Sequence, residues 1–146
     1  MEQRPPIPQI EDEIVEEFEL FDNWEDKYEY IIDMGKKLPP LDNMHKDDEH
    51  RIRGCQSTVW MVSELRDGQI VYQADSDAMI VKGLISMLIR VLSGQTPQDI
   101  IQADLGFIDR IGMTSHLAQT RSNGLRAMIK QMKLDATAWQ LKANAS

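Results

Sequence analysis

The stretch TVWMVSELRDGQIVY, residues 58–72, decides the fold class of this chain. Its two ends, residues 58–62 and 70–72, are rich in β-branched and aromatic side chains, which is typical of β-strands. Between them, Asp67-Gly68 is a dipeptide that favours a tight hairpin turn. The stretch therefore predicts two antiparallel strands joined by a short turn. The residues around Ile52 predict one further short strand, which would make a meander of about three strands.

Apolar residues recur at helical spacing on both sides of this hairpin. The predicted helices cover residues 10–21, residues 24–35 with Asn23 as N-cap, about residues 78–92, a short segment capped by Thr96, and a final segment that starts at Ser122 or Asn123. Strands that are grouped between helical segments indicate an α+β fold. We therefore expect a small antiparallel sheet covered by helices.

The length of 146 residues fits one domain. Residues 1–9 contain three prolines and few anchoring side chains, so we predict a flexible tail there and a single domain over residues 10–143. No apolar run approaches the roughly 20 residues that span a bilayer. The first residues also lack the apolar segment of a secretory signal. We therefore expect a cytoplasmic protein with no membrane partner.

Acidic side chains outnumber basic ones by 24 to 16, which gives a formal net charge of −8. Such a charge repels phosphate backbones, so nucleic acid is a poor candidate for a partner. The acids concentrate over residues 11–29, where Lys27 is the only basic residue. This segment is either a solvated helix face or a docking patch for a basic partner.

Cys55 is the only cysteine of the chain and its strongest nucleophile. Gly54 beside it permits a tight turn and the close approach of another molecule. Arg51 and Arg53 precede it, and a nearby positive charge lowers the pKa of a thiol toward the reactive thiolate. The alternative, from the residues alone, is a buried structural cysteine.

Other residue types that could carry chemistry are sparse. His45, His50 and His116 offer imidazoles, but structural zinc takes four ligands and iron–sulfur clusters usually take several thiolates. We therefore predict no metal site. A cysteine–histidine hydrolase pair of Cys55 with His116 stays open, although no recognisable oxyanion motif accompanies it. A redox-sensing thiol usually needs a resolving cysteine nearby, and this chain has one cysteine.

The segment IRGCQSTVW, residues 52–60, resembles the cysteine loop of the SufE family of sulfur-acceptor proteins. The likeness runs in the right order from about residue 12 to residue 133. Its further parts are NWEDKYEYII (23–32), Leu38-Pro39, DSDAMIVKGL (75–84), TPQDI (96–100), TSHL (114–117) and TRSNGL (120–125). Several motifs in the right order are more specific than any one of them.

The resemblance implies an α+β fold close to that of the iron–sulfur scaffold (NifU-like) family, and an accessory role that is not itself enzymatic. Such proteins accept sulfur from the persulfide of a pyridoxal-phosphate cysteine desulfurase, stimulate that enzyme, and pass the sulfur to an iron–sulfur scaffold complex. The accepting residue would be Cys55, with its transient persulfide and no cofactor. The alternatives are a related branch that serves a second desulfurase and other acceptors, and a purely allosteric activator. The single cysteine argues against a scaffold role, and a homodimer stays open.

The matching segments also suggest residues that support Cys55 or bind the partner. Those in the loop itself are Arg53, Gly54, Gln56 and Ser57. Arg121 would hold the thiolate or dock the partner, and otherwise is an exposed residue of a first helical turn. The imidazole of His116 would hydrogen-bond the cysteine loop or cap a turn. We further expect the Cys55 sulfur to pack against apolar residues in the free protein and its loop to swing out on docking.

Overall fold

A computed structural model describes residues 4–145 of the chain. Within that range it contains two strands and seven α-helices, with a 3₁₀ turn at Asn43–His45. The elements are α1 (Ile7–Phe18), α2 (Trp24–Lys36), β1 (Val59–Arg66), β2 (Gln69–Ser76), α3 (Met79–Leu92), α4 (Pro97–Gln102), α5 (Phe107–Arg110), α6 (Met113–His116) and α7 (Gln119–Asn144). Helices therefore precede and follow one β-hairpin, and the predicted α+β class is confirmed.

The hairpin has the tight turn at Asp67-Gly68 that its sequence predicts. Val59 lies opposite Ser76 and Arg66 lies opposite Gln69, with antiparallel pairing throughout. The two residues between the strands, Asp67 and Gly68, have φ angles of 52° and 79°. Positive φ angles at both positions are typical of two-residue hairpin turns. The turn therefore determines the register of the sheet.

The third strand expected around Ile52 is not formed, so within residues 4–145 the sheet has two strands and the prediction of about three is wrong. Pairing there is limited to an isolated bridge between Arg51 and Trp60. The Ile52 amide also donates to the Val59 carbonyl at 2.8 Å. Pairing stops at this point because the chain turns at Gly54, where φ is 91°.

Helix α3 is the centre of the core. Its buried residues include Leu84, Ile85 and Leu88, each of which is fully buried. It packs against β2 and crosses α2, where the two backbones come into direct contact. A Cβ atom added to Gly83 of α3 would lie 2.0 Å from the carbonyl oxygen of Ile31 in α2. The crossing therefore depends on the missing side chain at Gly83.

Two predicted helix caps are present. The Asn23 side-chain oxygen accepts from the Asp26 amide at 2.8 Å, and the Thr96 hydroxyl accepts from the Asp99 amide at 3.2 Å. The final helix begins at Gln119, three residues before the earlier of the two predicted starts. Its true N-cap is an alanine without a side-chain cap, so no local signal marks it.

The N-terminal segment is more ordered than predicted, because α1 begins at Ile7 and not after residue 9. The Arg4 guanidinium donates to the Ser93 and Arg90 carbonyls, both at 2.8 Å, at the end of α3. A flexible tail is therefore wrong for residues 4–9, and residues 1–3 of the predicted tail lie outside the described residues. No helix in residues 4–145 is long and apolar enough to cross a membrane.

Candidate functional site

The loop that carries Cys55 is held at both of its ends. Ile52, at the upstream end, is buried in the core. At the downstream end the Thr58 amide donates to the Asp77 carboxylate at 3.1 Å. Between these anchors the chain turns at Gly54 and leaves the thiol half-buried. The hairpin and the core therefore set the position of Cys55.

Helix α7 covers the loop from the other side. The Cys55 thiol donates to the carbonyl oxygen of Gly124, with the sulfur 3.6 Å from it. A Cβ atom added to Gly54 would lie 3.3 Å from the Cβ of Ala127, so the loop backbone approaches α7 closely. The thiol thus rests against the first turns of α7.

The Cys55 sulfur opens into a cavity of about 290 Å³ between the loop, α3 and α7. One wall is apolar and is built by Val81, Leu84 and Met128. The rim is polar and includes Arg121 of the first turn of α7. A cavity of this composition can enclose additional sulfur while one charged side chain stays within reach of it.

Burial raises the pKa of the Cys55 thiol, and the charge of Arg51 lowers it in part. The direction is opposite to the one expected from the flanking arginines, because partial burial penalises the thiolate more than the arginine favours it. Arg53 is exposed and lines a different cavity. At rest, the thiol is therefore held in its protonated form.

The structure brings together some of the residues that the sequence suggested. Gln56, Ser57 and Arg121 line the cavity with Cys55. Arg53 and Gly54 instead line a neighbouring cavity together with residues of α7.

His116 is not among the residues that line the Cys55 cavity. Its ring stacks on Trp24, with the ring centroids 4.2 Å apart. Its Nδ1 is 2.8 Å from the Gly112 carbonyl oxygen, within the same short helical turn. The sequence suggested that His116 either hydrogen-bonds the cysteine loop or caps a turn. Its contact with Gly112 fits the second role.

Sequence reasoning missed the residues that form the walls of the cavity. Val81 and Leu84 fall in the helix predicted over about residues 78–92, and Gly124 falls in the predicted final helix, with no functional role expected for any of them. All three lie in segments of the family likeness, residues 75–84 and 120–125. The signal available in the sequence was that both segments, like the cysteine loop, belong to the likeness to one family.

One group of potential metal ligands lies in the loop before β1. Asp47, Glu49 and His50 place their ligand atoms within 4.8 Å of one another. His50 and Asp47 already form a pair at 2.8 Å, and both carboxylates are exposed to solvent. Cys55 is not part of this group, so a metal there would not act on the thiol directly.

Comparison with known proteins gives three results. Residues 12–136 match the family SufE, described as the Fe-S metabolism associated domain. An uncharacterized SufE-like protein of Rhizobium meliloti (strain 1021) is 36% identical over 130 residues, which is 86% of this chain and 93% of that protein. The solution structure of a hypothetical protein from Thermus thermophilus superposes with a TM-score of 0.74 at 19% identity, covering 94% of this chain and 97% of that one. This last likeness concerns the fold alone.

Proposed function

The chain belongs to the SufE family, and from this premise we propose that it accepts persulfide sulfur on Cys55. The donor would be a pyridoxal-phosphate cysteine desulfurase, whose turnover the protein stimulates, and the acceptor an iron–sulfur scaffold complex. The family's association with iron–sulfur metabolism supports the pathway. The observation that carries the proposal is a half-buried thiol that opens into a cavity with one apolar wall.

The transfer step is a thiol–persulfide exchange. The Cys55 thiolate attacks the outer sulfur of the donor persulfide, and a new S–S bond forms at Cys55. The S–S bond of the donor breaks, and its electron pair leaves with the donor cysteine sulfur. The donor thiolate then takes up a proton equivalent to the one lost by Cys55, so that no external oxidant or reductant is needed.

The cavity suits a residue that must hold sulfur between donor and acceptor. Its apolar wall of Val81, Leu84 and Met128 limits the access of water and dissolved reductants to the outer sulfur of a persulfide. Because the chain contains no second cysteine, it cannot reduce its own persulfide and release sulfide. Both features extend the lifetime of the carried sulfur.

The raised pKa of Cys55 implies that the free protein is poorly reactive and that docking activates it. In our proposal the loop leaves the cavity when the desulfurase binds. Leaving removes the burial that raises the pKa, while the charge of Arg51 on the same loop remains. The thiolate would then form only where a donor persulfide is present.

The decisive experiment is intact-mass measurement after incubation with a cysteine desulfurase and cysteine. We expect the protein to gain one or more sulfur atoms, which peptide mapping locates at Cys55. The Cys55→Ala variant should gain none and should lose stimulation of the desulfurase. If alanine production rises with the wild type while Cys55 stays unmodified, the relay is refuted and the protein is an allosteric activator.

Arg121 is the second residue to test, because it is the charged side chain on the rim of the Cys55 cavity. We expect Arg121→Ala to lower sulfur transfer to Cys55 and Arg121→Lys to restore part of it. Arg66→Ala, which removes an exposed arginine from the far end of the hairpin, is the matched control. Equal transfer by the Arg121→Ala and Arg66→Ala variants would remove Arg121 from the site.

A further inference from the structure

A group of exposed cations lies beside the cysteine loop, on a chain whose net charge is −8. Arg53, Arg126 and Lys130 line a shallow cavity of about 450 Å³, and we call these three residues the basic patch. The rest of the lining is uncharged and includes Gly54, the residue next to Cys55. A positive surface is therefore continuous with the loop that carries the thiol.

Among the residues that the structure describes, the cations of the basic patch form no ion pair. Within residues 4–145, no carboxylate lies within 4.0 Å of any of the three, whereas Arg66, Arg90 and Arg110 each form an ion pair of 2.7 Å or less. Arg126 and Lys130 are also four residues apart on α7, a spacing at which like charges on a helix repel each other. The arrangement is unfavourable for the isolated protein and becomes favourable when carboxylates approach from outside.

The patch and the cysteine loop are in physical contact. The close approach of Gly54 to Ala127 places the loop against the same turns of α7 that carry Arg126 and Lys130. Arg121 lies five residues before Arg126 on this helix and extends the positive charge to the rim of the Cys55 cavity. A partner that reaches Cys55 must therefore approach through a positive field.

We infer that the basic patch docks an acidic surface of the cysteine desulfurase next to its persulfide. This inference rests on the proposed function, since it names the surface through which sulfur would be delivered. Anionic polymers and membranes fit less well, because the remainder of the chain carries a large excess of negative charge that repels them. A folded partner can instead present its carboxylates to the patch alone. Electrostatic matching of this kind acts mainly on the rate and orientation of encounter.

The test compares two double charge reversals. The variant Arg126→Glu/Lys130→Glu alters the patch, and the control Lys36→Glu/Lys37→Glu makes the same charge change at the end of α2, where both lysines are exposed. Thermal unfolding of each variant verifies that it is folded. The readouts are direct binding to the desulfurase and the protein concentration that gives half-maximal stimulation, each at low and at moderate salt.

We expect the patch variant to bind about tenfold more weakly and the control to bind as the wild type does. Added salt should weaken wild-type binding steeply and should affect the patch variant little. Stimulation by the patch variant should recover when its concentration is raised.

Equal binding by the patch variant and the control would overturn the inference, as would wild-type binding that does not depend on salt. The inference would also be overturned if the patch bound vesicles of anionic lipid while reversal of the patch charges left binding to the desulfurase unchanged. If binding follows the patch but no sulfur reaches Cys55, the docking surface stands and the sulfur relay fails. The two proposals can therefore fail separately.

Discussion

The crossing of α2 and α3 leads to the sharpest prediction about stability, which concerns Gly83→Ala. The added methyl group would lie 2.0 Å from the Ile31 carbonyl oxygen and 2.5 Å from the Ile31 Cγ2 atom. Backbone atoms cannot rotate away as a flexible side chain can. The helices are also in close contact at Gly35, where an added Cβ would lie 2.6 Å from the Gly83 nitrogen. The two helices must therefore move apart to accept any side chain at this position.

The size of the effect follows from two opposing contributions. Alanine is about 1 kcal/mol more favourable than glycine inside a helix. Overpacking costs about 1–3 kcal/mol, and a clash with backbone belongs at the upper end of this range. The net loss in free energy of unfolding is then about 2 kcal/mol, which corresponds to a fall in Tm of about 4–8 °C for a chain of this length.

Urea unfolding followed by circular dichroism measures this loss, and Gly106→Ala is the matched control. Gly106 has an ordinary helical φ of −64°, and within residues 4–145 no atom beyond its immediate chain neighbours lies within 4 Å of the Cβ that it would gain. The control should therefore be neutral or stabilising by about 0.4–1 kcal/mol. A Gly83→Ala protein with the urea midpoint of the wild type or higher would refute the description of this helix crossing. Because α3 also forms a wall of the Cys55 cavity, the variant should in addition expose the thiol to faster alkylation.

Two further predictions concern titratable groups. Burial raises the pKa of Cys55, so the pH at which alkylation by iodoacetamide reaches half its maximal rate should be higher in the native protein than in the same chain unfolded in urea. Arg51→Ala should raise this pH midpoint further, because the charge of Arg51 lowers the pKa of the thiol. Arg53→Ala should leave the midpoint unchanged. Native and unfolded midpoints that coincide would contradict the burial of the thiol. The hydrogen bond from Arg90 of α3 lowers the pKa of the Glu17 carboxyl. The stability that this bond contributes is therefore fully present above pH 4.5 and is lost as the pH falls through the lowered pKa. Glu17→Gln should therefore lower the free energy of unfolding by about 1 kcal/mol near neutral pH and by less in acid. Glu64→Gln, which breaks an exposed ion pair, should not change the free energy of unfolding measurably. Equal losses of stability for both variants, in thermal unfolding at pH 7 and in acid, would contradict this prediction.

Features that depend on neighbours in sequence were predictable from the chain. The hairpin over residues 58–72 follows from β-branched and aromatic residues around Asp67-Gly68, and the helix caps at Asn23 and Thr96 follow from polar side chains at the right positions. The start of α7 was missed because its N-cap, Ala118, carries no capping side chain. The strand around Ile52 was overpredicted because its composition does not show where the chain turns away.

The candidate site was only partly predictable. Cys55 was identifiable as the sole thiol, and the likeness to one family suggested Gln56, Ser57 and Arg121 as residues that support it or bind its partner. The pKa direction was mispredicted because adjacent arginines are visible in sequence whereas desolvation is not. Desolvation depends on α3 and α7, which come from distant parts of the chain.

The amino-acid sequence alone determined the α+β class, the hairpin, the family likeness and the position of the single cysteine. These are local properties, set by side-chain type and spacing along the chain. Tertiary structure decided the cavity around Cys55, the raised pKa of its thiol, the contact of Gly83 with α2 and the gathering of cations beside the loop. Each of these depends on distances between segments that are remote in sequence, and burial and electrostatic fields follow those distances.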